Sequence, residues 1–90
     1  MKFYCIADQD TVRGFALAGV AGEAVAGAEE AAAALARAAA QDEYGVIILT
    51  ENTASLIREQ VNAIRLKLPR PLIAEIPGFG STYDGTPKKS

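Results

Sequence analysis

Two hydrophobic periods alternate along this chain, and their switching points divide it into short elements. Phe3-Tyr4-Cys5-Ile6-Ala7 is a mostly apolar run of strand length, rich in aromatic and β-favouring side chains. From Thr11 the pattern turns helical, with Val12, Phe15, Ala16 and Gly19 on one face and Asp10 as the expected N-cap. Gly19, Ala21 and Gly22 are expected to end that helix, and Ala24-Val25-Ala26 reads as a brief edge strand. Glu29 and Glu30 then open an alanine-rich helix reaching Gln41. Its one large apolar side chain is Leu35, so its alanines predict a helix lying close against a sheet.

Gly45 breaks that helical run, and Val46-Ile47-Ile48-Leu49 follows as the strongest strand signal in the sequence. Its apolarity is continuous, which requires burial on both faces and predicts a central parallel strand. Thr50 closes the strand and is placed to cap the next helix, with Glu51 in its first turn. Ala54, Ile57, Val61 and Ile64 recur at helical spacing and predict a single helix, with Arg58, Glu59, Asn62 and Arg65 outward. Pro69 and Pro71 stop it. Leu72-Ile73-Ala74-Glu75-Ile76 is the last strand, and an ionisable Glu75 places it at a sheet edge.

The order β-α-β-α-β-α-β predicts an α/β fold: a small flavodoxin-like or Rossmann-like three-layer domain. Its four-stranded parallel sheet is expected in the order 2-1-3-4, with the two most apolar strands side by side. Residues 1–79 are expected to form this single domain. Residues 80–90, dominated by Gly, Ser, Thr, Asp, Pro and Lys, read as a flexible tail.

Composition narrows the chemistry. The chain has 90 residues, and eighteen alanines dilute an apolar content of 50%, leaving a modest core. It has no His and one Cys, which excludes imidazole catalysis, His-ligated metals and an intrachain disulfide framework. A net charge of −2 provides no global basic field for nucleic acid. No apolar run approaches the roughly 18 residues of a membrane span, and a cytoplasmic protein is expected.

In a doubly wound sheet ligands bind at the carboxyl ends of the strands. That edge carries Asp8, Asp10, Thr50 and Glu51. One reading is a receiver-like signalling or ligand-binding domain holding Mg²⁺ on Asp8, Asp10 and Glu51. Against it, Thr50 stands where a receiver domain needs an acceptor Asp, and no Lys follows the last strand at a suitable place. The competing reading spends Asp10 and Thr50 as helix caps. Cys5 falls within a strand, where burial raises a thiol's pKa and makes it inert. Asp8-Gln9-Asp10 occupies the position a dinucleotide fingerprint would need for glycine. Arg65, Lys67 and Arg70 form a local basic cluster, solvated or facing an acidic partner. No catalytic set assembles, so no cofactor and no metal are expected, and contact with other proteins is the expected mode of action.

Three blocks resemble a known family. Ile6-Ala7-Asp8-Gln9-Asp10-Thr11-Val12-Arg13-Gly14-Phe15, followed by Leu17-Ala18-Gly19-Val20, is similar to the start of the F subunit of archaeal and bacterial V-type (A-type) ATPases. So are Glu43-Tyr44-Gly45-Val46-Ile47-Ile48-Leu49-Thr50-Glu51 and Pro71-Leu72-Ile73-Ala74-Glu75-Ile76-Pro77-Gly78. The resemblance implies a non-catalytic subunit of the rotating central stalk. Such a subunit docks on a long coiled-coil D-type subunit, modulates ATP hydrolysis or synthesis, and is peripheral to the membrane. It also implies a C-terminal helix, whereas residues 79–90 show no helical pattern. Leu56, Ile76, Pro77, Gly78 and Phe79 are the expected interface residues, and self-association through the edge beside Glu75 is a further reading.

Overall fold

The computed structural model describes residues 1–77. Its elements are β1 (Lys2–Ala7), α1 (Gln9–Leu17), β2 (Ala21–Ala24), α2 (Ala28–Ala39), β3 (Tyr44–Thr50), α3 (Glu51–Leu56), α4 (Arg58–Lys67) and β4 (Leu72–Ile76). The strands pair in parallel in the order β2-β1-β3-β4, as the sequence pattern predicts. Alternating strands and helices leave this arrangement few alternatives, because each parallel pairing requires a crossover.

Side-chain alternation splits the sheet into two faces of unequal cover. On one, Ile6, Ile47, Leu49 and Ile73 meet Ala31, Ala34, Leu35 and Ala38 of α2, Ala54 of α3, and Ile57 and Val61. Alanine is what lets α2 approach β1 and β3 closely, and Leu35 supplies its one large plug. On the other face Cys5, Ala7 and Ile48 lie under Val12 and Phe15 of α1, with Val20 beside them. Only α1 covers this face among the described residues, and it lies against β1 and β2.

Three local expectations need correction. The N-cap of α1 is Asp8 rather than Asp10; the chain leaves β1 directly into the helix, and the Asp8 side chain reaches the first-turn amide of Thr11, three residues on. The second strand lies at Ala21–Ala24, earlier than Ala24–Ala26. Gly22 pairs with Cys5 so closely that a Cβ there would run into the Cys5 carbonyl, so this edge selects small residues over β-branched ones. The helix expected from Glu51 onward is two, α3 and α4, hinged at Ile57 with φ −129° and ψ 40°. The Ile57 amide donates to the Ala54 carbonyl at 3.2 Å, a tight turn, while its own carbonyl accepts from Val61 to start α4. Periodicity conceals the break because Ile57 remains a core residue, 1% exposed. The tail expected over 80–90 and the end of the domain at 79 lie outside the described residues.

Candidate functional site

The carboxyl edge of the sheet forms an open hollow of about 350 Å³ lined by Asp8, Val25, Gly27, Thr50, Thr53 and Leu56, among others. Asp8, Thr50 and Thr53 in it are engaged in folding. One carboxylate oxygen of Asp8 accepts from the Thr11 amide at 3.1 Å, and the other accepts from the Thr11 hydroxyl at 2.8 Å. Thr50 caps α3 as expected: its Oγ1 accepts from the Thr53 amide at 3.2 Å and donates to the Thr53 hydroxyl at 2.8 Å. Asp10 and Glu51 are exposed. Asp8, Asp10 and Glu51 do not converge, and among the described residues no three acidic, thiol or imidazole groups come together to hold a metal.

The expected interface residues separate. Leu56 is 56% exposed at the mouth of this hollow. Ile76, half-buried, lies on the other face of the sheet against the cluster of Cys5, Ala7 and Ile48, and Pro77 is exposed just beyond it. Gly78 and Phe79 lie outside the described residues. What the sequence reading missed is a row across the α1 side of the sheet. Phe3, Val46 and Leu72 stand in register on β1, β3 and β4, with Phe3 46% and Leu72 65% exposed. The signal was present in the strand alternation, which puts Leu72, Ala74 and Ile76 opposite Ile73 and Glu75.

Two edges carry polar clasps. On the β2 side the Tyr4 hydroxyl donates to Glu23 at 2.9 Å, and Arg37 of α2 pairs with the same carboxylate at 2.6 Å. Burial, then the Glu23 carboxylate, pushes the Tyr4 phenol up to about 12. On the β4 side Arg58 grips Glu75 with two bonds of 2.5 and 2.9 Å. Arg65 adds a bond to Glu75 at 3.2 Å and donates to the outward-facing Ile73 carbonyl at 2.7 Å. The Arg58 hydrogen bonds hold the Glu75 carboxyl below its ordinary value, and Arg65 adds to this. Both arginines, expected outward from α4, therefore fold over the sheet edge. Lys67 and Arg70 have no acidic partner among the described residues. Cys5 is fully buried, and desolvation pushes its thiol up to about 11, as its position within a strand predicts.

No described helix is long and apolar enough to cross a membrane. The geometry is that of a small α/β domain whose switch-point carboxylate and hydroxyls serve as caps. Comparison with known proteins gives this geometry a family. Residues 4–90 match the family model of the ATP synthase (F/14-kDa) subunit. The A-type ATP synthase F subunit of Methanosphaera stadtmanae is 37% identical over 79 residues, which cover 87% of this chain and 74% of that protein. The crystal structure of the V-type ATP synthase F subunit of Archaeoglobus fulgidus superposes with a TM-score of 0.70 at 25% identity, covering 83% of this chain and 95% of that one. The family match spans all three blocks singled out in the sequence, and the chain belongs to the family of ATP synthase F subunits of the V/A type.

Proposed function

We propose that this chain is a non-catalytic central-stalk subunit of a V/A-type ATPase or ATP synthase. It docks on a coiled-coil D-type subunit and couples or modulates ATP turnover with ion transport, on the cytoplasmic side and peripheral to the membrane. The family match over residues 4–90 carries the reading. The carboxyl edge supports it, since Asp8 and Thr50 at the switch point are bonded within their own helical turns. A subunit of this size then contributes through the surfaces it presents to its neighbours.

Co-expression with a D-type subunit tests the proposal. The two should co-purify as a stoichiometric complex, and adding this chain to an ATPase assembled without it should change the turnover rate. Failure to form a complex with the D-type subunit would overturn the reading.

A further inference from the structure

We draw no further inference here: the strongest candidate, the apolar patch of Phe3 and Leu72 on the sheet face beside α1, carries nothing, because nothing in the structure shows what covers it.

Discussion

The closed and open faces of the sheet are built from the same strands, yet they put side chains under different constraints. Leu49 is fully buried on the closed face, with α2, α3 and α4 above the sheet. Leu72, on the neighbouring strand and the opposite face, is 65% exposed. The same residue type therefore anchors the fold in one place and is available for contact in the other. Truncation measures this directly. Leu49→Ala should cost about 2–5 kcal/mol, because it removes buried methyl groups and leaves a cavity the surrounding helices fill only in part. Leu72→Ala should change stability by no more than about 0.5 kcal/mol. Equal losses in urea unfolding of the two variants would abolish the distinction between the faces.

Enlarging a side chain sharpens the contrast. Ala34 is fully buried between α2 and the sheet, where alanine sets the helix-to-sheet distance. Ala34→Leu should force the helix outward and cost about 1–3 kcal/mol. Ala74→Leu adds the same atoms to the open face and should be close to neutral in the same unfolding experiment.

These positions also show how much the sequence disclosed. The continuous run Val46–Leu49 revealed a central strand, and the alternating elements revealed sheet order, because burial on both faces and crossover handedness are periodic and chiral constraints. The hinge at Ile57 was hidden, since a core residue at a bend satisfies the same spacing as one within a helix. The placement of β2 was hidden too, because close approach to Cys5 selects Ala and Gly, which have no strand preference. For the candidate surface, Leu56 was legible as an exposed leucine. For Leu72, strand alternation disclosed the face opposite Ile73, but its alignment with Phe3 and Val46 was hidden, because it depends on the register of three strands distant in sequence. Arg58 and Arg65 looked solvated for a similar reason: their partner, Glu75, is on a strand beyond a proline-containing turn.

Burial of two titratable groups on β1, one on each face, has an alkaline signature. Tyr4 on the closed face titrates at about 12 against an ordinary 10, and Cys5 on the α1 side at about 11 against 9. A group whose folded value is raised contributes stability that is complete below its unfolded value and is lost as pH climbs through the folded one. Stability should therefore fall from about pH 9 through 11 for the thiol and from about pH 10 through 12 for the phenol. The Tyr4 share is about 1–2 kcal/mol once solvent screening at a half-buried ring is allowed for. Tyr4→Phe should remove the later part of the fall and leave the earlier part, as followed by chemical unfolding between pH 8 and 12. A thiol reagent should reach Cys5 no faster than the protein opens.

Next in size is the cap between β3 and α3. Thr50→Ala removes the acceptor for the Thr53 amide and the donor to its hydroxyl in a buried place, at a cost of about 1 kcal/mol. Thr50→Ser retains both bonds and should recover most of the loss, so the pair separates capping from packing of the methyl group.

The smallest effect belongs to the edge clasp, where the closed face meets solvent. Glu75 is gripped by Arg58 and Arg65, whose side chains are 42% and 41% exposed, so water and salt screen much of the attraction. Glu75→Gln keeps the shape of the side chain, removes the charge, and should lower the thermal midpoint by only a few degrees at neutral pH. Because the carboxyl is held below its ordinary 4.5, its contribution is present above that value and is lost as pH falls through the lowered folded one. The gap between variant and wild type should therefore persist at pH 7, narrow below about pH 4.5, and shrink with added salt. A gap that stays constant from pH 7 to 3 would mean that Glu75 acts through packing alone. The Arg65 bond to the Ile73 carbonyl would then be what finishes the β4 edge, leaving the ion pair no part in closing this face.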